Sequence, residues 1–252
     1  MENRNIRATL SYDGTEFLGW QSQAKGRTVQ DTVEAALGKL HGHSVSIRVA
    51  GRTDSGVHAA GQTINFESDS AVPDGRFPEA VNRLLPRDVR FLESCRVPPG
   101  FDARFNARVR VYLYRLANER SPDPWSARFC WNVHRWLDIE QLNEYAAALV
   151  GTHDFTTFAA AGDTSESKVR TIQSAAFYPR RGLTIFKIAG NAFLYRMVRS
   201  LVGTMVELGS SGAPAAEMAR LIDACDRDLA GETAPAWGLC LSKVIYDENE
   251  HY

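Results

Sequence analysis

The chain has 252 residues, of which 44% are hydrophobic and 23% are charged, and its formal net charge at pH 7 is −1. This length and composition predict a globular protein with a substantial core, organised as one large domain or two of middling size. A net charge so close to zero excludes a generic, uniformly basic nucleic-acid binder. The sequence contains no secretory signal and no apolar run of about eighteen residues, so we expect a soluble cytoplasmic protein with no membrane partner.

The first half of the chain alternates between strand and helix patterns. Thr28 is a candidate helix N-cap with Asp31 three residues on, and apolar residues then recur at helical spacing. A second helical pattern starts at Phe77 and stops at Pro86, because proline disrupts a helix. The expected elements are strands over 6–11, 45–49, 63–66 and 89–97 and helices over 29–40 and 77–85.

The second half repeats a similar order of elements. Its most informative segment is the strand 108–117, where period two places arginine and tyrosine side chains on one face, among them Arg110 and Tyr112. Asn191 is a plausible cap for a long helix that ends at Gly209. The expected elements are strands over 108–117, 169–178, 183–189 and 239–246, helices over 139–149, 191–209 and 214–222, and a mobile loop over 156–167.

The order of these elements bears on the fold class. Strands and helices interleave without a steady β-α-β rhythm, which favours an α+β fold with a largely antiparallel sheet. The similar order in the two halves indicates two related subdomains rather than a short repeat. We place an N-terminal α+β subdomain over residues 1–104 and a C-terminal α+β subdomain over 105–252, which together form one continuous sheet flanked by helices.

Charge is distributed unevenly along the chain. Between Arg76 and Arg135 there are twelve arginines, no lysines and six acids, whereas from Glu217 onward eight acids face three bases. Arginine suits phosphate binding and base stacking better than lysine does. Genomic composition explains an excess of arginine equally well, so this feature alone does not identify an RNA surface.

The four cysteines argue against a metal site. They show no CxxC spacing and fall in segments with core character, which favours reduced thiols in a cytosolic protein. His41 and His43 form an isolated pair without a second ligand pair nearby, and a polar turn explains them better. We therefore expect no metal.

A glycine-flanked polar loop, residues 50–59, lies between two expected strands and contains Asp54. No second carboxylate lies in the loop, so the two-acid pattern of most glycosidases is not evident there. The loop also lacks the P-loop and nucleophile-elbow patterns. An aspartate in such a loop is by default a turn-former, but Thr53 and Ser55 already supply turn chemistry and Arg52 can reach the same space, which favours a functional carboxylate.

Six spaced blocks between about residue 6 and residue 246 carry a family resemblance. The blocks are Tyr12-Asp13-Gly14-Thr15 with Gly19-Trp20-Gln21, Arg27-Thr28-Val29-Gln30, Ala50 to Ala59, Arg110-Val111-Tyr112-Leu113-Tyr114, Gly190-Asn191-Ala192-Phe193-Leu194 with Met197-Val198-Arg199, and Ala234-Pro235 with Gly238-Leu239. In this order they resemble the signatures of the TruA family of tRNA pseudouridine synthases. The resemblance covers nearly the whole chain and implies the pseudouridine synthase fold.

The resemblance implies an isomerase that detaches uracil from ribose C1′, rotates it and rejoins it through C5, at nucleotides 38 to 40 of the tRNA anticodon stem-loop. It implies a homodimer that binds tRNA, without a metal or organic cofactor. By matching to the family motifs, Asp54 is the catalytic residue and Arg52 assists base extrusion. Tyr112 stacks on the uracil, and Arg199 pairs with the catalytic carboxylate.

Two further residues are expected to contact the substrate. Arg110 shares the strand face of Tyr112 and is a candidate phosphate contact, and Leu239 is a candidate for the apolar wall around the flipped base. A plain core position explains Leu239 nearly as well. The residues do not decide whether Asp54 attacks C1′, attacks C6 of the base or removes the C2′ proton to give a glycal. The family resemblance favours the glycal route.

The chain departs from the family at one segment. Many members carry an arginine shortly after the His-Asp-Phe-x-x-Phe motif, whereas here 153–158 runs into three alanines. We expect Lys168 or Arg170 to hold the RNA there instead. Two rival classes remain open: a non-catalytic RNA-binding module, which needs no Asp54, and a glycosidase or nucleoside hydrolase, which releases free uracil or ribose.

Overall fold

The computed structural model describes residues 3–117, 123–134 and 137–247. By their contacts these residues form two compact units: one contains the chain up to Arg108 and its return from Leu241, and the other runs from Val109 to Cys240. The sequence-based boundary after residue 104 falls a few residues earlier, and the expected C-terminal subdomain included the closing segment that here returns to the first unit. Part of the arginine-rich span, including Arg135, lies outside the described residues.

The elements of the first unit are β1 (Arg4–Tyr12), α1 (Val29–His41), β2 (Ile47–Val49), β3 (His58–Ser68), α2 (Phe77–Val81) and β4 (Val89–Arg96), with a 3₁₀ turn at Asp74–Arg76. Three of its strands form an antiparallel sheet in the order β4-β1-β3. Ile6 of β1 pairs with Phe66 of β3, and Ile47 of β2 pairs with the other side of Phe66. Most of the apolar side chains of these strands and of the helices are buried in the core of the unit.

The helices of this unit test two expectations from the sequence. Helix α1 begins directly after Thr28, whose side chain accepts a hydrogen bond from the Asp31 amide at 3.2 Å, so the predicted N-cap is confirmed. Helix α2 ends at Val81, so its predicted extension to residue 85 was wrong. The amides of Leu84 and Leu85 both bond the Val81 carbonyl, which closes a turn ahead of Pro86.

The elements of the second unit are β5 (Val109–Ala117), α3 (Pro124–Ala127), β6 (Trp131–Asn132), α4 (Ile139–Ala147), β7 (Gly151–Asp154), β8 (Val169–Arg180), β9 (Leu183–Gly190), α5 (Met197–Ser211) and α6 (Ala216–Ala224), with 3₁₀ turns at Thr156–Phe158, Arg227–Leu229 and Ala236–Gly238. The closing strand β10 (Leu239–Ile245) begins in this unit, and from Leu241 onward it belongs to the first. Four antiparallel strands of the second unit lie in the order β5-β9-β8-β7, and the short strand β6 pairs in parallel with β5. The core includes fully buried Tyr114, Tyr145 and Phe186. The predicted α+β class with a largely antiparallel sheet is confirmed.

Helix α5 differs from its predicted bounds at both ends. Asn191 does not cap it, because the Asn191 side-chain oxygen instead accepts from the amides of Thr171 and Ala192. The residue at the N-cap position is Arg196, in the left-handed conformation at φ 59°. The helix passes Gly209 and ends at Ser211, followed by left-handed Gly212. Among the residues that the structure describes, no helix has both the length and the apolar character needed to cross a bilayer.

Candidate active site

The loop between β2 and β3 carries Arg52 and Asp54, and a tight turn begins at Asp54. The Val57 amide donates to the Asp54 carbonyl at 3.1 Å, and Gly56 takes φ 78°, a conformation that favours glycine. Thr53 is buried, Arg52 is exposed and Asp54 has intermediate exposure. The structure therefore brings the two predicted residues together on a loop whose carboxylate-bearing residue is not confined to the core.

Residues 12–20 form the support beneath this loop. The Trp20 amide donates to the Thr53 carbonyl at 3.0 Å. The amide of Gly56 and the hydroxyl of Ser55 both donate to the Phe17 carbonyl, at 3.3 and 3.2 Å. Phe17 and Trp20 are themselves almost fully buried. Asp54 thus lies between two residues whose backbones are tied to a fixed part of the core.

Two glycines allow this support to approach closely. A Cβ on Gly14 would lie 2.0 Å from the Val57 carbonyl oxygen, and a Cβ on Gly19 would lie 2.9 Å from the Thr53 carbonyl oxygen. Gly19 also takes φ 96°. Its carbonyl accepts from the Val29 amide at 3.2 Å, which connects the support to the start of α1. The first two motif blocks therefore serve as a scaffold for the central block.

A buried chain of polar groups joins the loop to the sheet. The hydroxyls of Tyr12 and Thr53 lie 2.8 Å apart. The Gln62 side-chain amide donates to the Gly51 carbonyl at 2.7 Å and reaches the Tyr12 hydroxyl at 3.3 Å. All three side chains are buried, so loss of one partner leaves the others in a place that water reaches poorly. This chain holds the Gly51 carbonyl and the Thr53 side chain, which flank Arg52, and Thr53 directly precedes Asp54.

Removing the Tyr12 hydroxyl tests this positioning role. For the uridine isomerisation that the family resemblance implies, we expect Tyr12→Phe to lower the rate about tenfold while tRNA affinity stays unchanged, because a shift of about 1.4 kcal/mol corresponds to a tenfold change in rate. Single-turnover kinetics and tRNA binding measure the two effects. The matched control is Tyr145→Phe, which removes another buried hydroxyl, one that donates to the Ala213 carbonyl at 2.5 Å. Equal rates for the two variants would contradict the positioning role.

The imidazole at the end of the loop also supports it. His58 is buried, and its Nδ1 accepts from the Gly14 amide at 2.9 Å. The same nitrogen lies 3.2 Å from a carboxylate oxygen of Asp13, the residue that precedes Gly14. His58 therefore holds the supporting segment in place.

The predicted stacking residue, Tyr112, lies on β5 in the second unit and is buried. Its ring meets the edge of Phe193 at a centroid distance of 5.2 Å and an interplanar angle of 85°. Arg110, also buried, donates to the Asn191 carbonyl at 2.6 Å. Both contacts tie β5 to the segment that follows β9, so the side chains of Arg110 and Tyr112 are held in place at this end of β5.

Arg199 and Leu239 lie close to a second tyrosine of β5. The Arg199 side chain donates to the Ala234 carbonyl at 2.8 Å, and Tyr114 donates to the Pro235 carbonyl at 2.8 Å. A Cβ on Gly238, the residue before buried Leu239, would lie 2.6 Å from the Tyr114 ring. Burial raises the pKa of the Tyr114 hydroxyl well above its ordinary value, and the charge of Arg199 opposes that shift. Tyr114 is therefore a neutral hydrogen-bond donor.

The structure thus separates the predicted site residues into two groups. Arg52 and Asp54 belong to the first unit, and the others belong to the second. Reasoning from the sequence missed the supporting roles of Tyr12, Gln62 and Phe193. Tyr12 and Phe193 lie within the motif blocks, and that position in the sequence could have identified them. Gln62 lies outside the blocks, and no sequence feature indicated its role.

The tract expected to be a mobile loop is held by Asp163. Its carboxylate accepts from Lys168 Nζ at 2.6 Å and from the Tyr195 amide at 2.6 Å. Burial alone would raise the pKa of Asp163. Hydrogen bonds from Lys168 and from the amides of Tyr195 and Ser165 outweigh that effect and lower the pKa far below its ordinary value. Lys168, one of the residues expected to hold RNA, therefore also anchors the chain's own loop.

Asp163→Asn should loosen this tract at neutral pH. The pKa of the Asp163 carboxyl group is lower in the folded chain than in the unfolded chain, where it is about 3.9. The carboxylate therefore stabilises the fold at any pH above the unfolded-state pKa, and this stabilisation is lost as the pH falls through the folded-state pKa. In the native chain we therefore expect constant hydrogen-exchange protection of the Tyr195 amide from pH 5 to 8. The variant should lose protection throughout. Glu217→Gln, which breaks an exposed pair with Arg220, is the control that should leave protection unchanged.

Within the described ranges, no group of three or more His, Cys, Asp or Glu side chains is placed to hold a metal ion. The four cysteines are free thiols, two of them buried. The loop itself carries one carboxylate, that of Asp54, and one guanidinium, that of Arg52.

Comparison with known proteins adds independent observations. A family model described as tRNA pseudouridine synthase matches residues 8–106 and 145–247. The chain is 42% identical over 252 residues to tRNA pseudouridine synthase A of Treponema denticola, covering 98% of this chain and 94% of that protein. It is 41% identical over 237 residues to the Halalkalibacterium halodurans protein of the same name, and this match covers 94% of this chain and 90% of that protein. The Bacillus subtilis protein of that name is 41% identical over 244 residues, and this match covers 96% of this chain and 99% of that protein.

Proposed function

Since the chain belongs to the family of tRNA pseudouridine synthases, whose members are isomerases acting on tRNA, we propose that its targets are uridines 38, 39 and 40 of the anticodon stem-loop. The observation that carries the proposal is the family match to residues 8–106, which contain the complete supported loop around Asp54. Three curated relatives of similar length, each matched over at least nine-tenths of both chains, support the same reaction class.

In this proposal Asp54 is the catalytic group. A uracil inside a paired stem is out of reach, so the nucleotide must first leave the stack, at a cost of a few kcal/mol. We assign Asp54 the glycal route: the carboxylate takes the C2′ proton while the C1′–N1 bond breaks. After the uracil rotates, C5 bonds C1′, the proton returns to C2′, and C5 loses its own proton as N1 gains one. The fixed backbone on both sides of Asp54 supports this role, because a base must be held within hydrogen-bond reach of its proton.

The remaining site residues are proposed to hold the nucleotide. Arg52, exposed beside Asp54, occupies the stack that the uridine leaves, and Tyr112 stacks on the extruded base. Arg199 pairs with the Asp54 carboxylate and favours its charged form. Arg110 is the proposed phosphate contact, and Leu239 contributes to the apolar wall around the base. We further propose that the enzyme acts as a homodimer in the cytoplasm and needs no cofactor.

Mapping pseudouridine in tRNA from cells with and without this gene tests the proposed positions. Loss of pseudouridine at 38, 39 and 40 on deletion is the expected result, and intact modification there would overturn the proposal. Chromatography of a reaction with purified protein distinguishes the alternatives. An isomerase retains the base in the RNA, whereas a hydrolase releases free uracil and a binding module leaves the uridine unchanged.

A further inference from the structure

The turn before β5 is held by one buried carboxylate. Asp102 accepts from the amides of Arg104 and Phe105 at 2.8 and 3.2 Å and from the Arg48 guanidinium at 2.6 Å. Its own amide donates to the Asn106 side chain at 2.7 Å. Burial alone would raise the pKa of Asp102. The hydrogen bonds from Arg48 and from the two amides outweigh that effect and lower the pKa below its ordinary value. The turn therefore keeps its shape across the neutral pH range.

The turn is also attached to the core beneath it. The buried Asn65 side chain accepts from the Ala103 amide at 2.8 Å and donates to the Phe101 carbonyl at 3.2 Å. The Tyr246 hydroxyl donates to the Ala103 carbonyl at 2.7 Å. Ala103 itself is fully buried. These contacts come from distant parts of the first unit, so the turn is fixed on its inner side by tertiary structure rather than by its own sequence alone.

This fixed turn displays a large aromatic side chain to solvent. Phe105 is 78% exposed, more than any other large apolar residue found exposed among those described. The Arg104 guanidinium lies 5.4 Å from its ring centroid. Arg104 and Arg108 are exposed, whereas the one acid of the segment, Asp102, is buried. The outer surface of the turn thus presents an exposed aromatic ring with the Arg104 guanidinium beside it.

We propose that Phe105 is a stacking platform for an unpaired base of the tRNA substrate, with Arg104 contacting the adjoining phosphate. Bases stack on aromatic rings whatever their identity, and arginine complements the phosphate that follows. A rigid turn loses little conformational freedom on binding, which favours affinity. The Arg104 guanidinium beside the ring favours a polyanionic partner such as RNA, because arginine forms charge-assisted hydrogen bonds with phosphate oxygens. The inference rests on the tRNA substrate and adds an RNA contact to the proposed function.

Three substitutions at one position test the platform. Phe105→Ala, Phe105→Leu and Phe105→Trp are compared for tRNA binding by filter retention at fixed salt, in an Asp54→Asn background. We expect the Ala and Leu variants to bind about tenfold more weakly and the Trp variant to bind like the parent, because only an aromatic ring stacks. Leu92→Ala, which truncates a side chain 52% exposed on β4, is the control that should leave affinity unchanged.

Four outcomes of the binding comparison would reject the platform. Full affinity in the Leu variant means a non-aromatic apolar contact, and full affinity in the Ala variant means no contact. A Trp variant as weak as the Ala variant excludes stacking as the cause. A change in oligomeric state by light scattering, parallel to the loss of affinity, assigns Phe105 to a subunit interface. Conversion by the Asp54→Asn parent would instead refute the catalytic proposal, without affecting this comparison of binding.

Discussion

Replacing Asp54 by Asn is expected to abolish the conversion of uridine to pseudouridine while tRNA binding stays within about 1 kcal/mol of the native value. The substitution preserves the shape of the side chain and removes the charge that accepts the proton. Loss of the essential base should lower the rate by at least about a thousandfold. Single-turnover assays on unmodified tRNA measure the rate, and filter binding measures the affinity.

Asp69→Asn is the matched control for this variant. It removes the same charge from the first unit, but Asp69 forms an exposed pair with His43, so we expect native rates and native affinity. If Asp54→Asn weakened binding in parallel with the rate, Asp54 would be a substrate contact and not the catalytic base. Conversion at a near-native rate would transfer the chemistry to another group.

The parts of the fold that could be predicted from the sequence are those set by neighbouring residues. Helix α1 begins where expected because its cap, Thr28, and the capped amide of Asp31 lie within one turn. Helix α5 could not be located in this way. Asn191 has the residue type of a cap, but its side chain bonds the Thr171 amide, twenty residues away. The helix therefore starts later, at a left-handed turn that no local pattern indicated.

The candidate site shows the same division between local and distant contacts. Arg52 and Asp54 could be singled out because they stand together in a glycine-flanked loop. The groups that fix this loop come from Tyr12, 41 residues before Thr53, and from Gln62 on the following strand. Such contacts depend on strand register, which is set by tertiary packing. The motif blocks included Tyr12 and Thr53 without indicating that their side chains touch, and Gln62 lies outside the blocks.

Gly203→Ala is expected to destabilise the second unit by about 3 kcal/mol, because helix α5 packs against the backbone of the segment that precedes β10. A Cβ on Gly203 would lie 1.8 Å from the Glu232 carbonyl oxygen and 3.1 Å from the Ala234 amide nitrogen. Both atoms are backbone, so the segment itself must move. Its Ala234 carbonyl accepts from Arg199, and we therefore also expect a lower conversion rate.

A second glycine of the same helix provides the control with the opposite sign. A Cβ on Gly209 would lie 3.4 Å from the Leu142 side chain, which is ordinary contact. Gly209→Ala should therefore stabilise the protein by about 0.5–1 kcal/mol through helix propensity alone. Urea unfolding, with the slope checked for constancy, measures both changes. Equal midpoints for the two variants would show that α5 and the 231–234 segment adjust freely to each other, and Arg199 would then lack the fixed support that its proposed pairing with a carboxylate requires.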